Sequence, residues 1–121
     1  MLNGFAQQTE PLTDYERDTL LPVICRGLVT KVGEAKAITN AAITKAMKGA
    51  GYQLNEARVR KIINHIRANG YVPCLVSTSA GYYIATSADE VEDCIASIQG
   101  RIASQQAIID ALKQQQQKYF I

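Results

Sequence analysis

The sequence predicts an α+β fold: a helical N-terminal part, one β-hairpin and a long final helix. Three observations carry that prediction. Apolar residues recur at helical spacing between residues 13 and 69; two short runs rich in Val, Ile, Tyr and Thr follow around a glycine-containing turn; and from Ser87 onward the chain has a single glycine and no proline. With 121 residues and 47 % hydrophobic content, the chain can fill one domain with an appended helix.

Thr13-Asp14-Tyr15-Glu16 has the spacing of a capping box, in which the Thr hydroxyl accepts from one unpaired backbone N–H and the Glu carboxylate from another. A first helix is expected to start there. Leu21, Ile24, Cys25, Leu28 and Val29 form its predicted stripe, and Pro22, which has no N–H and clashes with the carbonyl of Asp18, predicts a kink or break. Beyond the loop at Gly33, Ala37 and Ile38 are expected to make a very short strand. Thr39 or Asn40 then caps a second helix, which faces inward through Ile43, Ala46 and Met47 and ends at Gly49 and Gly51.

Asn55 caps a third helix, Glu56 sits where the helix dipole favours an acid, and Asn69-Gly70 stops it. Within it, Val59, Ile62, Ile63 and Ile66 fall at i, i+3, i+4 and i+7, one buried stripe. That phase puts Ala57, Lys61, Asn64 and Ala68 on the opposite side, with Arg58, Arg60, His65 and Arg67 along the flanks. YVPCLVS and YYIATS, separated by Thr78-Ser79-Ala80-Gly81, read as a β-hairpin with Tyr82 and Ile84 on its inner face. Ser87-Ala88-Asp89-Glu90 is a second capping box, opening the final helix.

The formal net charge of +2 hides an uneven distribution. From Arg26 to Arg67, nine cations (Arg26, Lys31, Lys36, Lys45, Lys48, Arg58, Arg60, Lys61, Arg67) stand against two acids, Glu34 and Glu56, which leaves +7. Acids gather before this segment (Glu10, Asp14, Glu16, Asp18) and after it (Asp89, Glu90, Glu92, Asp93). A basic middle between acidic flanks points to a polyanionic partner; the plainer alternative is solvation of helix surfaces.

Helix, short strand, helix, helix, strand, strand, long helix is the order of a winged helix: a helix-turn-helix followed by a β-hairpin wing. In that arrangement the third helix docks its isoleucine stripe on the first two and turns its outer face toward a major groove. The run RVRKIINHIRANG, followed by VPCLVSTSAGYYIAT and preceded by AITNAAITKAM, resembles small winged-helix proteins of bacteria and their prophages over Leu12 to Thr86. The resemblance implies double-stranded DNA binding, with the recognition-helix role on Asn55 to Asn69 and the wing role on Val72 to Thr86. One departure concerns the wing tip, where Thr78, Ser79, Ala80 and Gly81 stand in place of the Lys or Arg through which such wings touch phosphate.

The candidate DNA-binding residues are accordingly Arg58, Arg60, Lys61, Asn64 and His65 on the third helix, with Lys45 and Lys48 on the second, which crosses the backbone in helix-turn-helix docking. Arg and Lys supply phosphate contacts or bonds to guanine, Asn has the amide geometry that reads adenine, and His can hydrogen-bond a phosphate.

The final helix carries a heptad seam. Val91, Ile95, Ile98, Ile102, Gln105, Ile109 and Leu112, continued by Gln116 and Tyr119, follow at alternating spacings of four and three. An unbroken helix of this extent is on the order of 50 Å long, longer than a domain of this size can cover. A homodimer through Ile95, Ile98, Ile102, Gln105, Ile109 and Leu112 is therefore expected. The predicted organisation is a flexible N-terminus over 1–11, a winged-helix domain over 12–86 and a dimerisation coiled coil over 87–121.

Other chemistry finds little support. Cys25, Cys74 and Cys94 are odd in number without a CxxC pair, and the single histidine has no cysteine at ligand spacing, so neither disulfides nor a metal site is expected. Without a nucleophile and base pair, paired carboxylates at useful spacing or a glycine-rich phosphate loop, neither enzymatic activity nor a cofactor is expected. No run approaches the roughly 18 apolar residues of a membrane span, and the first residues lack the order of a secretion signal. The expectation is a cytoplasmic, nucleoid-associated, dimeric DNA-binding protein, a transcriptional regulator or phage accessory factor. A winged-helix protein-interaction module without DNA binding is the alternative.

Overall fold

The computed structural model describes residues 11–120, which form helices, one two-stranded antiparallel hairpin and a long C-terminal helix in an α+β arrangement. The flexible segment expected over 1–11 lies, except for Pro11, outside the described residues. The chain divides into two compact units, one ending at Ser87 and one consisting of the helix that starts at Ala88.

The first unit opens on the capping box: Glu16 N–H donates to Thr13 Oγ1 at 3.2 Å, and Thr13 N–H donates to Glu16 Oε1 at 2.8 Å. A π-helical turn, Glu16–Leu20, then runs straight into α1 (Leu21–Leu28), so the helix is widened ahead of Pro22 rather than broken there. Leu21 N–H closes the wide turn on the Glu16 carbonyl, and Pro22 falls in the first positions of α1, where a missing donor costs little. The turn also settles which side of the helix is buried. Ile24 and Leu28 are buried as predicted and Leu20 takes the place of Leu21 in the stripe, while Leu21 and Cys25 are half-buried and Val29, beyond the helix end, is 52 % exposed.

Thr39 caps α2 (Asn40–Gly49), its hydroxyl accepting from Ala42 N–H at 3.1 Å. Ile43 and Met47 are buried as predicted, but Ala46 faces solvent and Thr44 takes the inward place, satisfying its hydroxyl by donating to the Asn40 carbonyl at 2.9 Å. Asn55 caps α3 (Glu56–Asn69) through its Oδ1 and Arg58 N–H at 2.8 Å, and Gly70, at φ +67°, ends it in the left-handed conformation. Val59, Ile62, Ile63 and Ile66 of α3 join Leu20, Ile24 and Leu28 in one core cluster.

The hairpin pairs β1 (Leu75–Thr78) with β2 (Gly81–Ile84), Leu75 opposite Ile84 and Thr78 opposite Gly81. Strand structure therefore starts later than predicted: residues 71–74 form a turn in which Cys74 has a left-handed φ of +59°. Tyr82 and Ile84 do pack on the core cluster, though both are half-buried, and Tyr83 is the more deeply buried side chain. The short strand expected at Ala37 and Ile38 is a single bridge. Ile38 N–H donates to the Tyr82 carbonyl at 3.0 Å, and Tyr82 N–H donates back at 2.8 Å. This bridge brings the chain ahead of α2 hard against Gly81, whose φ is +121°.

The second unit is α4 (Ala88–Tyr119), 32 residues and about 48 Å long. It passes Gly100 without a break, in open surroundings, so Gly100→Ala is expected to stabilise the helix by about 1 kcal/mol, read as a raised melting temperature by circular dichroism. No helix among the described residues is long and apolar enough to cross a membrane.

Candidate nucleic-acid interface

A helix packed on one side leaves an outward face free, and the sequence phase assigned that face to Lys61 and its neighbours. The structure corrects this assignment. Lys61 is 5 % exposed, and its ammonium donates to Glu16 Oε1 at 2.7 Å; Arg58 Nε donates to Glu16 Oε2 at 2.8 Å. Glu16 itself is only 3 % exposed. The Arg58 guanidinium also lies 5.1 Å from the centroid of the Tyr15 ring, and the Tyr15 hydroxyl accepts from Gln53 N–H at 3.0 Å. The first helical turn of the chain thus covers a second side of α3, so that Lys61 is buried against the Glu16 carboxylate and the partly exposed Arg58 pairs with the same group. Burial alone would raise the Glu16 carboxyl, but hydrogen bonds from Lys61, from the Thr13 backbone and from Arg58 outweigh it and hold the pKa below its ordinary value.

What remains open on α3 is a narrower arc centred on Arg60 and Asn64, both exposed. Arg60 reaches Glu56 only at 4.0 Å, with both side chains about half exposed, a weak pairing that leaves the guanidinium available. Arg67 follows on the same side but is anchored, Nε donating to the Leu75 carbonyl at 3.1 Å. The phenol of Tyr82, a half-buried tyrosine of β2, is pushed up by burial against the pull of Arg60 and Arg67. His65 does not join the group. It lies on the other flank of α3, half-buried, with its ring 5.7 Å from that of Tyr71.

Lys45 and Lys48 are exposed on one side of α2, and neither has a carboxylate at ion-pair distance among the described residues. Asn40 Nδ2 donates to the Glu56 carbonyl at 3.0 Å, tying the first turns of α2 and α3 together about one turn short of Lys45 and Arg60. The sequence-predicted set therefore separates: Arg60, Asn64, Lys45 and Lys48 face solvent, Lys61 is buried, Arg58 is half-buried and paired with Glu16, and His65 stands apart. Among the described residues no three His, Cys, Asp or Glu side chains converge to hold a metal.

On α4 the heptad positions divide by exposure. Ile98 is half-buried, whereas Ile95, Ile102, Ile109 and Leu112 are 45–62 % exposed, and Gln105 is exposed with them. Comparison of the chain with known protein families, curated proteins and solved structures gave no match.

Proposed function

We propose that the first unit is a winged-helix domain that binds double-stranded DNA, holding phosphates through Lys45, Lys48 and Arg60 and offering Asn64 to a base edge, and that α4 pairs two copies. The observation that supports this reading is the make-up of the solvent faces of α2 and α3. They carry Lys45, Lys48, Arg60 and Asn64, with Glu56 as their one acid. Between these side chains stand Ala41, Ala42, Ala46 and Ala68, all exposed and small enough to let a nucleic-acid backbone approach the helices. A dimer of such domains would suit a transcriptional regulator or a phage accessory protein.

With Lys61 and Arg58 withdrawn, phosphate contacts outweigh base contacts, so affinity for random duplex should be on the order of 10 µM at physiological salt. The test is retention on a duplex-DNA column. Arg60→Glu should elute at clearly lower salt than the wild-type chain, whereas Lys118→Glu near the end of α4 should not; equal elution of Arg60→Glu and wild type would sink the assignment. The uncharged wing tip, the burial of Lys61 and the pairing of Arg58 with Glu16 favour the second reading, a protein-interaction module, which predicts no retention at all. For pairing, Ile102→Asp combined with Ile109→Asp should sediment as a monomer where the wild type sediments as a dimer.

A further inference from the structure

On α4 the a positions are Ile95, Ile102, Ile109 and Gln116, and the d positions Val91, Ile98, Gln105, Leu112 and Tyr119. Along that line Ile95 is 49 %, Ile102 62 %, Ile109 45 %, Leu112 57 % and Tyr119 67 % exposed. Two amides interrupt an otherwise apolar stripe that is exposed except at the half-buried Val91 and Ile98, and a buried amide needs a hydrogen-bonding partner. The register of any helix that covers the stripe is therefore set by what Gln105 and Gln116 meet.

The stripe is complementary to itself. Laid parallel and unstaggered, two copies set Gln105 against the partner's Gln105, Gln116 against the partner's Gln116, and each isoleucine against its equivalent. Slipped by one heptad, one copy's Gln105 would face the partner's Leu112 and its Ile109 the partner's Gln116, leaving amides unpaired. An antiparallel helix pairs a with d positions, and the register that matches amides there sets Gln105 against the partner's Gln116; it overlaps only from Arg101 to Phe120 and leaves Ile95 uncovered. The parallel register covers the line from Ile95 to Tyr119. It places the stem of Lys113, at an e position, beside the partner's Ile108, which is 60 % exposed on the free helix, and opposes no like charges across the e and g positions.

We infer that α4 forms a parallel, in-register, two-stranded coiled coil with a second copy of this chain, with Gln105 and Gln116 as matched polar layers. The inference rests on the reading of α4 as a pairing element and adds its direction and register.

The test uses the full chain carrying Gln105→Cys or, separately, Gln116→Cys. Each variant is oxidised with copper phenanthroline, linked peptides are identified by mass spectrometry, and the mass is followed by sedimentation; wild type, with its three native cysteines, is the control. The expected result is a dimer in which each single variant links to itself through the introduced cysteine while wild type forms no link through residues 105–116. A dimer whose single variants fail to link, but in which the two variants mixed link 105 to 116, would overturn the direction and leave the pairing intact. A monomer at every concentration would overturn both.

Discussion

Glu16→Ala is expected to destabilise the first unit by about 3–5 kcal/mol, because it strands the Lys61 ammonium in the core and removes one of the two partners of Arg58. That is a large fraction of the roughly 5–15 kcal/mol by which a domain is stable, so urea unfolding should show a markedly lowered midpoint. Lys61→Met is the informative contrast. It removes one charge but leaves Arg58 on Glu16 and fills the space with an aliphatic chain, so it should cost far less; equal costs for the two variants would contradict an electrostatic origin. The pH dependence follows from the same geometry. The folded pKa of Glu16 lies below its ordinary 4.5, so its contribution is fully present above that value and is lost as pH falls through the folded pKa. Glu16→Gln should remove this acid-side loss. For binding studies, a charge reversal at Lys61 would report on folding and is the wrong probe of a ligand.

Gly81→Ala should be the second large effect, about 3 kcal/mol, measured by thermal unfolding. A Cβ there would lie 2.5 Å from both the carbonyl carbon and oxygen of Ile38 and 2.8 Å from Thr39 N, all backbone atoms, in a residue whose φ of +121° a side chain already disfavours. Neither neighbour can yield cheaply: Ile38 is held to Tyr82 by two hydrogen bonds, and Thr39 caps α2. The substitution should therefore loosen the hairpin and the start of α2 together. A stability equal to wild type would mean that the Ile38–Tyr82 bridge does not hold the hairpin.

Local chemistry was well written in the sequence. The Thr13 and Glu16 capping box, a cap at Thr39 or Asn40, the cap at Asn55, the stop at Gly70 and the hairpin each depend on residues within a few positions of one another, although the hairpin connection is only Ser79-Ala80 where the sequence suggests Thr78 to Gly81. What failed to show was tertiary. A helical wheel gives α3 a single buried stripe, and on it Lys61 points away from the core; the wheel holds no sign that the first turn of the chain would cover that side too. Glu16 is half of a cap, but its carboxylate also accepts from side chains 42 and 45 residues later. The exchange of Leu21 for Leu20 in the stripe of α1 has a similar origin. Pro22 announced an irregularity, yet whether the helix would break or widen by one residue, moving burial from Leu21 to Leu20, depended on the core it had to fit.

The most direct test of the account is fluorescence anisotropy of a random-sequence duplex titrated with the chain across a salt series, with the triple variant Lys45→Glu/Lys48→Glu/Arg60→Glu beside it. Three phosphate contacts per subunit predict a log–log salt slope of about −3 per bound subunit, and in the triple variant the binding should disappear while the far-ultraviolet circular dichroism stays unchanged. Binding by the triple variant with the same affinity and slope, or no binding by wild type even at low salt, would contradict the claim that the open faces of α2 and α3 take up DNA.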